Sequence, residues 1–239
     1  MSARHTGTPQ HARGNDTAET ASTRSVQLLE LLDALKLASS EQQRGQLLAY
    51  LDLLERWNRV YNLTAVREPQ QMLTLHLADC LALLPALAEQ SPRRLLDVGS
   101  GGGLPGLVLA IMRPDIQVTL NDAVQKKCAF MQQAAAELRL QNVEVQHGRV
   151  EQLEGQTYDC ITSRAFSDLA TLVKLTERLL AQEGRWAAMK GLPPREELAA
   201  LPAEIETQVQ TLDVPGLQAQ RCVVWMLRRT ISTQDQGSR

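Results

Sequence analysis

The chain has 239 residues, of which 44% are hydrophobic, and its formal net charge at pH 7 is −2. This length is enough for one large domain with an extension, and the apolar share is enough for a substantial core. The near-neutral charge excludes an overall basic field, so any surface for nucleic acid must be a local patch. The longest apolar run, Cys80 to Ala88, contains Pro85 and is too short to span a bilayer, so we expect no membrane partner.

The two ends of the chain are polar. We expect residues 1–24 to form a disordered tail and residues 231–239 to form a flexible tail, because neither shows apolar periodicity. The start of the chain has no apolar stretch of signal-peptide type, so we expect a cytoplasmic protein. The cysteines are far apart and lie among apolar neighbours: Cys80, Cys128, Cys160 and Cys222. This spacing favours reduced, buried thiols and gives no indication of a metal site.

Residues 25–90 carry apolar side chains at helical spacing and predict an N-terminal helical extension. Ser40 followed by Gln43 resembles a capping box, which predicts that a helix begins there. A further helix is expected to start at Glu68–Pro69 and to carry His76. We interpret His76 as a buried or capping residue rather than as a catalyst.

Residues 91–230 alternate between strands and helices, a rhythm typical of a parallel sheet flanked by helices. The predicted strands are Arg94–Val98, Ile116–Asn121, Val143–His147, Asp159–Ser163, Arg185–Lys190, Val209–Val214 and Arg221–Arg228. The predicted helices are Leu104–Met112, Val124–Leu140, Leu169–Leu180 and Glu197–Glu206. The pattern therefore predicts an α/β domain with a Rossmann-like seven-stranded sheet that closes with a hairpin.

A glycine-rich segment follows the first predicted strand, with glycines at positions 99, 101, 102, 103 and 106. Glycine lets the backbone turn sharply and approach a ligand closely. The start of the following helix adds free N–H groups and the positive end of the helix dipole. The segment therefore predicts a loop that holds the polar part of a nucleotide-like cofactor. The alternative is a glycine-rich turn without a ligand.

This loop fits two templates. Gly101-x-Gly103-x-x-Gly106 matches the dinucleotide fingerprint, and Asp97-x-Gly99-x-Gly101-x-Gly103 resembles the first motif of class I S-adenosylmethionine methyltransferases. Asp97 favours the second template, because a carboxylate suits the cationic amino group and sulfonium of S-adenosylmethionine and repels a pyrophosphate. An NAD-dependent oxidoreductase is the competing interpretation, but the chain has no convincing set of hydride-handling residues.

In an open α/β sheet, ligands lie beyond the carboxyl ends of the strands. Asp122 follows the second strand and is a candidate for the ribose hydroxyls; the alternative is a cap for the next helix. Val150 and Glu151 follow the third strand. They could bind an adenine through backbone and carboxylate, or they could belong to a surface loop.

Arg164 directly follows the apolar fourth strand, so its cation should lie near the mouth of the pocket, where class I methyltransferases place groups for the acceptor; the alternative is an ordinary surface arginine. Phe166 could stack on a base, although such a side chain is more often part of a core. Lys190 follows the fifth strand and could face the phosphates of the acceptor or simply solvent.

Five segments occur together in this order: Trp57–Val66, His76–Asp79, Asp97–Gly106, Ser163–Phe166 and Lys190–Gly191. From about Leu28 to Arg228 the chain thereby resembles the bacterial small-subunit rRNA guanine-N7 methyltransferase family, RsmG, also called glucose-inhibited division protein B. Members of this family often have proline where Gly102 stands.

The resemblance implies a class I methyltransferase fold and S-adenosylmethionine as cofactor. It implies methyl transfer to N7 of a guanosine in the decoding-region loop of 16S rRNA, free or within the small ribosomal subunit, by a cytoplasmic protein that we expect to be a monomer. The cofactor contacts that it implies, together with the loop glycines, are Gly99, Gly101, Gly103, Leu104, Asp122, Val150, Glu151 and Arg164.

The same resemblance implies no general base and no metal. Guanine N7 is a lone-pair acceptor without a proton, so the attack needs in-line placement in a dry site rather than proton removal. Arg164 is the candidate for orienting the substrate. A non-catalytic ribosome assembly factor that keeps the cofactor fold is the remaining alternative, and the intact loop and Asp122 argue against it.

Overall fold

The computed structural model describes residues 13–66 and 68–229, and residues 231–239, expected to be a flexible tail, lie outside this part of the chain. The described residues form one seven-stranded sheet with helices packed against it, which confirms the predicted α/β class. The first helix begins at Arg13, so residues 13–24 are helical where we expected disorder. Arg24 ties this helix to the next one through ion pairs to Asp52 (2.9 Å) and Glu55 (3.0 Å).

The α-helices of the described residues are α1 (Arg13–Ala34), α2 (Glu41–Tyr61), α3 (Pro69–Met72), α4 (Asp79–Leu81), α5 (Leu84–Gln90), α6 (Gly106–Met112), α7 (Gln125–Glu137), α8 (Leu169–Thr176) and α9 (Arg195–Ala199). A π-helix, Leu73–Ala78, joins α3 to α4. The strands are β1 (Arg94–Val98), β2 (Gln117–Asp122), β3 (Val143–His147), β4 (Tyr158–Arg164), β5 (Leu180–Lys190), β6 (Ile205–Leu212) and β7 (Arg221–Arg228).

The strand order is β3-β2-β1-β4-β5-β7-β6. The first five strands are parallel, and β7 runs antiparallel to both β5 and β6. The register aligns Asp97 at the end of β1 with Leu120 of β2 and with Thr162 of β4. The chain order reverses between β1 and β4, and in such sheets the ligand crevice lies at the carboxyl ends of the strands on either side of that point.

The end of the sheet differs from the prediction. Glu197–Glu206 was expected to be helical, but α9 ends at Ala199 and β6 already begins at Ile205. Proline at position 202 cannot donate a helical hydrogen bond, and the residues that follow gain a complete antiparallel ladder with β7. Tertiary pairing therefore overrides a local pattern that favoured a helix.

Helix α2 holds the glycine-rich loop and the helix that follows it. The predicted capping box is confirmed, with the Ser40 and Gln43 side chains and backbone groups bonded reciprocally. Gln43 also donates to the carbonyl of Ile111 (3.0 Å) at the end of α6. The buried Tyr50 hydroxyl donates to the carbonyl of Gly102 (2.6 Å). The extension and the sheet therefore share one hydrophobic core and are also joined by the hydrogen bonds of Gln43 and Tyr50.

We expect Tyr50→Phe to lower the free energy of unfolding by about 1–3 kcal/mol, because the Gly102 carbonyl loses its buried donor. Urea denaturation of the purified protein measures this change. Tyr158→Phe is the matched control: its hydroxyl bonds only to the partly exposed Gln156 side chain, which can turn to water. Equal losses for both variants would contradict a special role for the Tyr50 bond.

Candidate functional site

A cavity of about 670 Å³ opens at the carboxyl ends of β1, β4 and β5. Its walls come from seven parts of the chain: Leu63–Val66, the π-helix with Asp79, Gly99–Gly102 with Leu104, Lys127, Arg164–Ala165, Met189–Gly191, and Arg221. Of the predicted site residues, Gly99, Gly101, Leu104 and Arg164 line this cavity. It lies at the sheet edge where the sequence predicted a ligand.

The N–H groups of the glycine-rich loop are used inside the protein. Ser100 N–H donates to the Asn121 carbonyl (3.0 Å), and the N–H groups of Gly103 and Leu104 donate to the Ser100 carbonyl (2.8 and 3.0 Å). Gly106 N–H, the first of α6, donates to Asp97 Oδ2 (2.9 Å). The expectation of free N–H groups at this helix start is therefore wrong at its first residue, where a buried carboxylate caps the helix. A pyrophosphate would meet this carboxylate rather than an anion-binding nest.

Asp97 is the most constrained polar group of the site. Its side chain is fully buried, and its Oδ1 atom has no hydrogen-bond partner among the described residues. Burial raises the pKa of this carboxyl from 3.8 to about 7, although the Gly106 N–H opposes the shift. An unpaired buried carboxylate oxygen is costly. Its chemistry suits a cation or a hydrogen-bond donor brought by a ligand.

The loop glycines have different reasons to be glycine. Gly99, Gly101 and Gly103 all have positive φ (+67°, +59° and +82°). A Cβ on Gly101 would meet no atom closer than 3.9 Å, so its surface is open to a ligand. A Cβ on Gly103 would collide with the Leu107 side chain, and one on Gly99 would come within 2.7 Å of the Phe166 ring. Gly103 therefore serves helix packing and does not line the cavity.

Asp122 is buried and ties the loop to the start of α7. Its Oδ2 accepts from Gly101 N–H (3.0 Å), its Oδ1 accepts from Val124 N–H (2.9 Å), and Lys127 Nζ lies 3.5 Å away. Asp122 is not the N-cap of α7, which is Val124, but it accepts the N–H of that residue and so steadies the start of the helix. Each carboxylate oxygen keeps a second lone pair, so the ribose interpretation stays compatible with these bonds.

Val150 and Glu151 do not line the cavity. Val150 is buried in the core, and its carbonyl accepts from Leu153 N–H and from Arg178. Glu151 is exposed in a short 3₁₀ turn after β3. These two residues are therefore separate from the predicted site residues that line the cavity.

Arg164 shares a buried carboxylate with a second arginine. Its Nη1 atom donates to the Leu75 carbonyl (3.2 Å) and to Asp79 Oδ2 (3.3 Å), while Arg221 Nε donates to Asp79 Oδ1 (2.9 Å). Within the described residues, the Nε and Nη2 groups of Arg164 have no protein acceptor. Asp79 neutralises one of the two guanidinium charges, so the cluster keeps a positive charge at the cavity wall.

The π-helix brings His76 to the same wall. His76 Nδ1 lies 3.1 Å from the Leu75 carbonyl, so it carries the proton, and Nε2 accepts from the Thr64 hydroxyl (2.9 Å). Burial, reinforced by the nearby Arg164 cation, lowers the pKa of His76 to about 4. His76 is therefore a neutral, buried and fully bonded side chain, in agreement with the prediction.

Lys190 and Phe166 have protein partners. Lys190 Nζ donates to both oxygens of Glu197 (2.7 and 3.1 Å) and to the Ser167 carbonyl (3.1 Å), which leaves no N–H for a phosphate. The half-buried Phe166 ring packs against buried hydrophobic side chains of the core and covers Gly99. The structure therefore supports neither the stacking of a base on Phe166 nor the binding of acceptor phosphates by Lys190.

Sequence reasoning missed Thr64, Asp79 and Arg221, which all line the cavity. Thr64 and Asp79 belong to segments that carry the family resemblance, yet neither follows a strand of the sheet. Arg221 begins β7, and because β7 is antiparallel its first residue lies at the carboxyl edge of the parallel strands. The predicted closing hairpin could have indicated this position, because the first residue of its antiparallel strand falls at that edge.

Two further findings concern the described residues alone. All four cysteines are buried and unpaired, as predicted, and no group of three His, Cys, Asp or Glu side chains there could hold a metal ion. Across residues 13–66 and 68–229, no helix combines the length and the apolar character needed to cross a membrane.

The raised pKa of Asp97 predicts a pH effect on stability. The folded protein holds a proton on Asp97 up to about pH 7, whereas the unfolded chain loses it near 3.8. Because only the unfolded chain ionises between about pH 4 and pH 7, the free energy of unfolding of the wild-type protein falls as pH rises through this interval. We expect the free energy of unfolding of Asp97→Asn, relative to wild type, to rise across this interval. Urea denaturation at several pH values measures it; a difference that does not change with pH would contradict a raised pKa.

Comparison with known proteins places the chain among methyltransferases. Residues 43–224 match the family described as rRNA small subunit methyltransferase G. Proteins named ribosomal RNA small subunit methyltransferase G include one from Leptothrix cholodnii, 53% identical over 86% of this chain and 96% of its own length. Another from Methylobacillus flagellatus is 56% identical over 77% of this chain and 88% of its own length.

Solved structures share the fold. An O-methyltransferase from Klebsiella pneumoniae, described as putative, aligns with a TM-score of 0.55 at 14% identity, over 84% of this chain and 95% of its own. The O-methyltransferase TomG from Streptomyces achromogenes, solved in complex with SAM, aligns with a TM-score of 0.54 at 15% identity, over 87% and 96%. These two alignments support the methyltransferase fold, and the sequence matches show that the chain belongs to the rRNA small subunit methyltransferase G family.

Proposed function

We propose that this enzyme transfers the methyl group of S-adenosylmethionine to N7 of a guanosine in the decoding-region loop of 16S rRNA. The observation that carries the proposal is the buried Asp97 carboxyl group with its unpaired oxygen, behind the glycine-rich loop that lines a cavity whose residues fall within the family match. The names of the relatives support small-subunit rRNA as substrate. The nucleotide and the atom that accept the methyl group rest on the family resemblance of the sequence.

The residues present fit S-adenosylmethionine. When bound, this cofactor supplies an electrophilic methyl group on a positively charged sulfonium. Asp97 and Asp122 suit its cationic and hydroxyl groups, and the open surface of Gly101 leaves room for its approach. The unpaired N–H groups of Arg164 suit a carboxylate. These residues, with Gly99 and Leu104 at the cavity wall, would hold the cofactor.

Four predicted contacts do not line the cavity: Gly103, Asp122, Val150 and Glu151. Besides the role of Asp122, we propose two roles for the other three. Val150 and Glu151 would meet an adenine beyond the end of β3, where Gly148 N–H is tied to the carbonyl of Asp122 (3.1 Å). Gly103 would act indirectly, by letting α6 pack against the loop. Both roles depend on the loop keeping the shape that α2 and Asp122 give it.

The proposed reaction needs no general base. N7 offers a lone pair and loses no proton, so the chain's task is to orient the guanine and to exclude water. His76 does not act as a base here, because both of its ring nitrogens are bonded and its pKa is about 4. Arg164 can also orient the acceptor, from the wall between the π-helix and β4.

Two other functions are less consistent with these observations. An NAD-dependent oxidoreductase would have to place a pyrophosphate against Asp97 and Asp122, whose oxygens already accept N–H groups of this loop. A non-catalytic assembly factor has no need of an open, charged cavity, and the family match is to methyltransferases.

We further propose that the protein works in the cytoplasm, where rRNA is the substrate, and as a monomer. We propose residues 25–90 as the helical extension and 91–230 as the methyltransferase domain. The shared core of the two parts implies that they fold together rather than as independent units.

Mass-spectrometric mapping of methylated guanosine in 16S rRNA, from cells with and without the gene, tests the proposal. We expect one 7-methylguanosine in the decoding-region loop to disappear with the gene and to return when the purified enzyme and S-adenosylmethionine are added. Calorimetric titration with S-adenosylmethionine and with NAD separates the two cofactors. An unchanged methylation map, or binding of NAD alone, would overturn the proposal.

The loop glycines give a paired prediction. Gly101→Ala places a methyl group in open space, so we expect a loss of S-adenosylmethionine affinity of at least tenfold with a stability cost of only about 1–2 kcal/mol for the left-handed backbone. Gly103→Ala collides with Leu107, so we expect a larger loss of stability. Calorimetric titration and thermal unfolding of both variants measure the two effects. Normal cofactor affinity in folded Gly101→Ala would remove the loop from the binding site.

His76 gives the test for a missing base. Loss of a general base slows a reaction by about 10²–10⁴, whereas we expect His76→Gln to stay within about tenfold of wild type, because glutamine can still accept from the Thr64 hydroxyl. Single-turnover methylation of rRNA at saturating S-adenosylmethionine is the measurement, between pH 6 and pH 9. A rate that follows one ionisation in wild type and loses it in His76→Gln would identify His76 as the base.

A further inference from the structure

One exposed aromatic side chain lies two residues along the chain from a wall of the cavity. The chain has three tryptophans, three tyrosines and two phenylalanines, all among the described residues. Tyr61 alone of these is exposed, with 40% of its surface accessible. It is the last residue of α2, and Leu63, two residues further on, begins the stretch that forms one wall of the cavity.

Tyr61 is held in place by a stack of rings. Its ring centroid lies 5.0 Å from that of the half-buried Trp57, with the planes inclined at 36°. Trp57 in turn packs edge-on against Phe130 of α7, at 5.5 Å, and Phe130 is fully buried. The outer ring is therefore anchored to the core through two others. An aromatic ring fixed in this way loses little conformational freedom when a flat partner stacks on it.

Exposed side chains precede Tyr61 on α2. Val60 beside it is 69% exposed and extends the apolar surface. Arg56 and Arg59, five and two residues before Tyr61, have side chains 66% and 73% exposed. At these spacings neither arginine lies on the helix face that carries the ring, and they are paired with Glu137 (3.8 Å) and Glu55 (2.6 Å). The feature of this surface that suits a nucleic acid is therefore the flat ring, on which any base can stack.

We propose that Tyr61 is the stacking platform for an unpaired base of the rRNA segment that carries the methyl acceptor. This inference rests on the proposed function. A base that must present N7 inside a cavity has to leave its own stack, and its neighbour then needs a new surface to cover its face. Tyr61 offers that surface two residues before the segment that forms one wall of the cavity.

Substitution of Tyr61 separates stacking from packing. Tyr61→Leu keeps an apolar side chain on Trp57 but removes the flat ring, whereas Tyr61→Phe and Tyr61→Trp keep a ring. We expect the KM for rRNA to rise roughly tenfold in Tyr61→Leu and to remain near wild type in the two aromatic variants. The maximal rate and the Kd for S-adenosylmethionine should stay within about twofold of wild type in all three. Val209→Ala, which changes a 38% exposed apolar residue of the outer strand β6, is the control and should change nothing.

A direct contact is detected by ultraviolet cross-linking of wild-type protein to small-subunit rRNA, followed by trypsin digestion. The sequence predicts a tryptic peptide of residues 60–67 that contains Tyr61, and we expect the cross-linked nucleotide on that residue. A wild-type KM in Tyr61→Leu without a cross-link on this peptide would overturn the inference. A KM that rises for assembled subunits and not for free rRNA would also overturn it, since Tyr61 would then contact protein. If wild-type enzyme methylates no rRNA at all, the proposed function itself fails, and that outcome is distinct from both.

Discussion

The buried carboxylate of Asp97 is the constraint on which the rest of the site depends. It is the penultimate residue of β1, caps the helix that leaves the loop, and retains one oxygen without a partner among the described residues. A Cβ on Gly106 would come within 2.8 Å of that carboxylate, so the glycine that ends the motif is needed for the carboxylate to reach the helix. The loop therefore has its shape because a carboxyl group is buried behind it, with one oxygen bonded to the start of α6 and the other without a partner among the described residues.

The central part of the fold could be predicted because local pattern and tertiary structure agree there. β1, β3 and β7 have the predicted bounds, since each is a short run of strand-forming residues between clear turns. The strand predicted at Val209–Val214 overlaps the second half of β6, but the helix predicted up to Glu206 was wrong, because β7 supplies hydrogen-bond partners from Ile205 onward. The prediction was also wrong at residues 13–24, whose helix is joined to α2 through Arg24. Contacts distant in sequence decide both segments, and one sequence does not reveal them.

The residues of the candidate site likewise fall into those that the sequence predicted and those that it did not. Gly99, Gly101, Leu104 and Arg164 follow strand ends, and the general rule for open sheets was sufficient to find them. Thr64 and Asp79 reach the cavity from the helical extension, through the segment after α2 and through the π-helix. No strand-end rule reaches such residues. The extension is consequently part of the site: it supplies a wall, a carboxylate between two arginines, and the hydroxyl that holds the loop from behind.

The position of β7 has a consequence for how the enzyme is made. β7 is the last strand of the described chain, yet it lies inside the sheet, between β5 and β6, and carries Arg221 to the cavity. During synthesis β6 emerges first and has no neighbour to pair with until β7 follows it. Until β7 has been made, Asp79 lacks its Arg221 partner and the cavity lacks the part of its wall that Arg221 supplies. The strand of the described chain that is synthesised last therefore completes both the sheet and the site.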